Sequence, residues 1–170
     1  MMNKKMMYAL VAIVVIVVVA VAGAYVLMNN GSGGVTYTVA NAKSLQYDVN
    51  VTYQGTTSLS RFTGKNLGAS NMMLRVELSG SGQDNYTIIL NGEDQTAWQA
   101  LNGNWTDVSN TYNDRMTNGC GKQWTTFVDA LANWSGTGDC NYTDTAGTSY
   151  KIYNVAINPT VDDALFQHST

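Results

Sequence analysis

Apolar and polar positions divide this chain into three stretches with different periods. Met6 to Met28, MMYALVAIVVIVVVAVAGAYVLM, is an unbroken apolar run with no charged residue. At about 1.5 Å rise per residue a helix of this length spans the roughly 30 Å hydrocarbon core of a bilayer. From Ser44 the period becomes two. Leu45, Tyr47, Val49, Val51 and Tyr53 alternate with Gln46, Asp48, Asn50 and Thr52, the signature of a strand with one buried face. Ser58 to Lys65 reads as a weaker strand around Phe62. Met72, Leu74, Val76 and Leu78 alternate in the next, and Tyr86, Ile88 and Leu90 in the one after. Asn91-Gly92 and Asn102-Gly103 mark turns around a strand at Ala97 to Leu101, and Trp105 opens the return.

The period then lengthens. Trp124, Phe127, Val128, Leu131 and Trp134 recur at helical spacing and predict an amphipathic helix of about three turns. A last strand runs from about Ser149 to Ile157. Pro159 stops it, and Val161 to Phe166 reads as a short helical turn. Thr36 to Lys43 is ambiguous between strand and short helix. The expected fold class is α+β: an N-terminal transmembrane helix, then a curved antiparallel sheet of about seven or more strands with one main helix on its concave face.

The flanks of the apolar run orient it. Lys4 and Lys5 precede it, and no Lys or Arg follows until Lys43. The positive-inside rule keeps the N-terminus in the cytoplasm and sends the rest outside. A cleavable secretory signal is the rival reading, with Ala22-Gly23-Ala24 as the small-residue site. The apolar run continues past that site through Met28, which favours an uncleaved single-pass anchor in the cell membrane. The organisation is then a basic flank and anchor over 1–28, an Asn/Gly/Ser linker over 29–34, and an extracytoplasmic β domain over 35–170.

Charge narrows the partners. Beyond the linker, seven Lys/Arg face twelve Asp/Glu, with no basic cluster, which argues against nucleic acid. The cysteines are Cys120 and Cys140 alone. Outside the cell such a pair reads as one disulfide closing a loop of about 20 residues, against the alternative of two free thiols. Six positions fit the N-glycosylation acceptor: Asn30, Asn50, Asn85, Asn104, Asn133 and Asn141. They suggest a glycosylated cell surface, such as an archaeal one. Asn50 and Asn85 fall on the polar parity of their strands, Asn104 lies opposite Trp105 in parity, and Asn133 lies on the solvent side of the helix.

Chemistry-bearing constellations are missing from the sequence. The single histidine, His168, is third from the end. Asp162-Asp163 and Glu93-Asp94 read as turn or cap residues, so no metal or other cofactor and no catalytic role is expected. The remaining candidate is the apolar face. Tyr47, Val49, Met72, Leu74, Val76, Ile88, Trp98 and Trp105 are expected to line the sheet, with Trp124, Phe127, Leu131 and Trp134 on the helix. Filled, this face is an ordinary core; partly open, it is a pocket for a hydrophobic ligand.

The order of these motifs resembles the superfamily of outer-membrane lipoprotein carriers, which also includes their membrane-anchored receptor and mycobacterial lipid-binding lipoproteins. The resemblance runs over roughly Val39 to Gln167. It rests on the hairpin TIILNGEDQTAWQALNGNWTDVS, the tryptophan-bearing helix, and a closing strand that leads into INPTVDDALF. Members are half-open antiparallel barrels whose helices line a lipid-holding concavity. The resemblance implies binding of a lipid or isoprenoid chain between sheet and helix. This chain departs from the family in its anchor, its shorter length and its glycan acceptors. Two other readings stand beside it. One is an envelope sensor or interaction module. The other is a pilin-like filament subunit that self-associates through its apolar helix.

Overall fold

The computed structural model describes residues 38–80 and 84–168. The apolar segment, the linker and the Asn30 acceptor lie outside the described residues. Among the described residues no helix is long and apolar enough to cross a membrane.

Among the described residues eight strands form one open antiparallel sheet: β1 (Ser44–Tyr53), β2 (Thr56–Lys65), β3 (Met73–Gly80), β4 (Tyr86–Asn91), β5 (Thr96–Leu101), β6 (Asn104–Asp107), β7 (Cys140–Thr143) and β8 (Ser149–Ile157). Their order across the sheet is β6-β5-β4-β3-β2-β1-β8-β7. The first six strands are a meander in chain order, and β8 returns to pair with β1. Two helices fill the excursion between β6 and β7: α1 (Tyr112–Thr117) and the longer α2 (Cys120–Leu131). Short 3-10 turns occupy Val39–Asn41, Ser109–Thr111 and Asp163–Phe166. The α+β class and the open sheet with one main helix thus agree with the expectation.

The turns follow from local chemistry. Asn102 and Gly103 both have positive φ, at 50° and 84°. A two-residue hairpin needs that conformation, and Asn-Gly reaches it cheaply. Leu101 then pairs with Asn104 across the turn.

Register puts the alternating apolar residues on one face. Leu45, Tyr47, Val49 and Val51 of β1 stand beside Phe62 of β2, Leu74 and Val76 of β3, and Ile88 and Leu90 of β4. On β8, pairing with β1 shifts between Gln46 and Asp48. Asn154 and Val155 therefore lie together opposite Tyr47, and Asn154 takes a φ of 53°. This bulge changes the side-chain parity. It lets both Ile152 and Ile157 align with the apolar row, against Val49 and Leu45.

α2 covers that face. Its buried residues Gly121, Trp124, Phe127 and Leu131 recur every three or four positions. Close approach depends on Gly64 in β2. A Cβ there would lie 2.5 Å from the Trp124 ring and 2.9 Å from Leu67, so glycine makes room for the indole. The helix begins at Cys120, earlier than the periodicity of its aromatic residues suggests, and ends at Leu131 rather than running on to Trp134.

Candidate functional site

The face under α2 is the first place to look for a hydrophobic site, and it is filled. Tyr47 stacks on Phe62 at 5.2 Å between ring centroids and on Trp124 at 5.3 Å. Phe127 meets Phe62 edge-on at 5.4 Å. The Tyr47 hydroxyl donates to the Trp124 carbonyl at 3.4 Å, so this buried polar atom turns to α2. Tyr47, Val49, Leu74, Val76, Ile88 and Leu131 are 2% exposed or less. Ten of the twelve residues expected to line a pocket belong to this packing. Met72 and Trp134 sit at its margin, half-buried. The Trp134 indole N–H turns to the carbonyls of Thr137 and Gly138 beyond the helix.

Trp98 and Trp105 lie elsewhere. In β5 it is Ala97 that pairs with Leu90 of the apolar row, and Trp98 stands between Ile89 and Asp107 on the opposite face. Trp105, paired with Ala100, shares that face. The expectation that both line the helix-covered face is corrected by register. Period two admits only one of Ala97 and Trp98 there, and the small residue is the one inside.

Cys120 and Cys140 are free thiols, and the expected disulfide is corrected as well. The Cys120 thiol lies 3.9 Å from the Arg115 carbonyl, at the start of α2. The Cys140 thiol lies 3.8 Å from the Ala130 carbonyl, near the end of α2. Ten residues of helix separate those positions by about 15 Å, whereas a disulfide needs Cα atoms within about 7 Å. Burial pushes the Cys120 thiol up to about 11 and also raises Cys140, so both resist becoming thiolate.

The opposite face is polar at its centre. Asp48, whose side chain is 6% exposed, receives Arg61 Nε at 2.7 Å and Nη2 at 3.1 Å, and Asn154 Nδ2 at 2.8 Å. Burial alone raises the Asp48 pKa. The hydrogen bonds from Arg61 and Asn154 and the guanidinium charge outweigh it and hold the carboxyl below its usual value. The β8 bulge thus also supplies a ligand for this carboxylate. Arg61 pairs across to Glu77 of β3 and is itself half-exposed. Beside it runs an open groove of about 400 Å³, lined by Asp48, Leu59, Arg61, Glu77, Ser79, Asn85 and Thr87 among others. The alternating pattern placed Asp48 on the polar side of β1. Its burial depends on a cross-strand Arg and a bulge that no local pattern displays.

The C-terminal segment crosses the same face farther along. Asp163 pairs with Lys65, and Arg75 Nη1 donates to the Leu165 carbonyl at 2.8 Å. The His168 ring stacks on Trp98 at 3.5 Å and lies 6.3 Å from Trp105. Among the described residues no group of three His, Cys, Asp or Glu side chains converges as metal ligands would.

Of the glycan acceptors, Asn85, Asn104, Asn133 and Asn141 are exposed. Asn50 is half-buried in the middle of β1, where the Tyr153 hydroxyl donates to its Oδ1 at 3.4 Å. Comparison with protein-family models, with characterised proteins and with solved structures finds no match to this chain.

Proposed function

We propose that this chain is an outward-facing interaction module, tethered to the cell membrane by its apolar N-terminal segment. Its working surface is the sheet face opposite α2. The observation that supports this reading is the occupancy of the other face. A lipid-carrier function needs room between sheet and helix, and the Tyr47, Phe62, Trp124 and Phe127 rings already fill that space. Lifting α2 would expose Trp124, Phe127 and Leu131 at roughly 1.5–3 kcal/mol each, a sum comparable to the whole stability of a small domain. An acyl chain would have to offset that cost before it bound. The opposite face asks for no such rearrangement. Its groove is open, and it offers the Arg61 guanidinium, the Glu77 carboxylate and the Ser79 and Thr87 hydroxyls to a polar partner.

Photo-crosslinking in the native host tests this. A photoreactive side chain is placed in the full-length chain at Thr87, in the groove, and in a separate chain at Lys122, exposed on α2. The module reading expects a discrete protein adduct from position 87 and little from position 122. An adduct of lipid mass, or equal yields from the two positions, would overturn it.

A further inference from the structure

The sheet is open, so it has two edges, and β6 and β7 occupy them. Among the described residues β6 pairs only with β5, and β7 only with β8. An unpaired edge presents backbone N–H and C=O groups to any other strand, and exported proteins blunt such edges with Lys, Pro, bulges or covering segments. These two strands read Asn-Trp-Thr-Asp and Cys-Asn-Tyr-Thr, with neither Lys nor Pro. Each instead contains one complete glycan acceptor, Asn104-Trp105-Thr106 in β6 and Asn141-Tyr142-Thr143 in β7. Both asparagines and both threonines are exposed. Asn141 Nδ2 lies 3.5 Å from the Asp139 carbonyl, too far to be held firmly. Asn104 pairs in register with Leu101, one of the few large apolar side chains left exposed, at 38%. The register also places the two asparagines on opposite faces. Asn104 shares the α2 side with Leu101, and Asn141 shares the far side with Lys151 and Asn50.

We propose that Asn104 and Asn141 carry N-linked oligosaccharides and that these cap the two sheet edges, one from each face, against strand addition by a second copy. The donor is a lipid-phosphate-linked oligosaccharide. The Asn Nδ2 attacks C1 of its first sugar, and the N–C1 bond forms as the C1–O bond to phosphate breaks. The lipid phosphate leaves with the electron pair, and the amide nitrogen releases one proton to a base of the transferring enzyme. The sugar at Asn104 also covers Leu101. This proposal rests on the outward-facing reading above, since the donor is used on the outer side of the membrane.

The test uses the full chain purified from its native host in mild detergent. Glycopeptide mass spectrometry is expected to find sugar on Asn104 and Asn141. Thr106→Ala with Thr143→Ala, and separately Asn104→Gln with Asn141→Gln, remove both acceptors by different atoms. Both double variants are expected to self-associate at a concentration at least tenfold lower than the wild type, read by light scattering. Bare Asn104 and Asn141 beside sugar at other acceptors would overturn the edge proposal and leave the outward-facing reading standing. Occupied sites whose removal leaves the chain equally monomeric would overturn the capping role. An unmodified chain that protease digests on intact cells defeats the edge proposal alone. An unmodified chain protected in intact cells defeats the outward-facing reading with it.

Discussion

The two faces of this sheet are made from the same strands by opposite means. Under α2, aromatic and branched side chains exclude water, and nearly every side chain there touches several others. On the far side, the cover is a set of separate devices: the Asp48–Arg61–Asn154 cluster, the Arg75 contact to the C-terminal segment, and the His168 ring on Trp98. Burial energy in the first face scales with area and collapses together when a piece is removed. Energy in the second is divided among polar contacts, each worth about 1 kcal/mol and each partly open to solvent. The first face can therefore serve as scaffold, and the second can change without unfolding the molecule.

The largest test of that contrast is Phe127→Ala. It should lower unfolding stability by about 3–5 kcal/mol, because the ring is buried among Tyr47, Phe62 and Tyr150 and leaves a cavity behind. Trp98→Ala removes a larger ring from the other face and should cost clearly less. Chemical denaturation of both variants measures the difference. Equal losses would mean that the far face is a second core.

Overpacking probes the same face from the other direction. Gly64→Ala adds one methyl at 2.5 Å from Trp124 Cη2. The indole packs against both Tyr47 and Phe62, so it has little room to give. A loss of about 1–3 kcal/mol is expected, read as a lower denaturation midpoint with an unchanged slope. A neutral result would mean that α2 is looser on the sheet than its ring contacts imply.

Asp48→Asn tests the far face and carries a pH signature. The folded carboxyl is depressed, so its contribution is fully present above the unfolded value of about 3.9 and is lost as pH falls through the folded value. Because Arg61 is half-exposed and stays hydrated without its partner, the loss at pH 7 should be about 1–2 kcal/mol. The gap between wild type and variant should close as pH drops below about 4. A gap that persists at pH 2 would show that Asp48 acts through shape rather than charge.

Which parts were legible follows from the same contrast. Period-two alternation exposed β1, β3 and β4, and the Asn102-Gly103 dipeptide exposed the β5–β6 hairpin, because backbone geometry and burial act there on adjacent residues. β7 and α1 escaped notice. Four residues reading Cys-Asn-Tyr-Thr carry too little alternation, and Tyr112–Thr117 offers only the pair Tyr112 and Met116, too short a stripe to mark a helix. Trp98 misled for a physical reason. Size suggests the interior, yet the interior position of β5 is the small Ala97, and a histidine from seventy residues away shelters the tryptophan. The Asp48 cluster depends on the β8 bulge, which appears only once two distant strands are paired.

The smallest effect decides the cysteine question. A disulfide closing a loop of about 20 residues would contribute roughly 3 kcal/mol in the chain-entropy model, so its removal would be as visible as a core cavity. With α2 holding the thiols at opposite ends, Cys140→Ser breaks no covalent link. It loses only the packing of a half-buried sulfur, at about 1 kcal/mol or less. Thiol titration gives the independent reading. Native protein at neutral pH should react slowly, because burial raises both thiols, and unfolding without reductant should release two equivalents. Zero equivalents together with a 3 kcal/mol loss would require α2 to be unwound in the native chain. The ring stack that fills the inner face would then have to be built some other way.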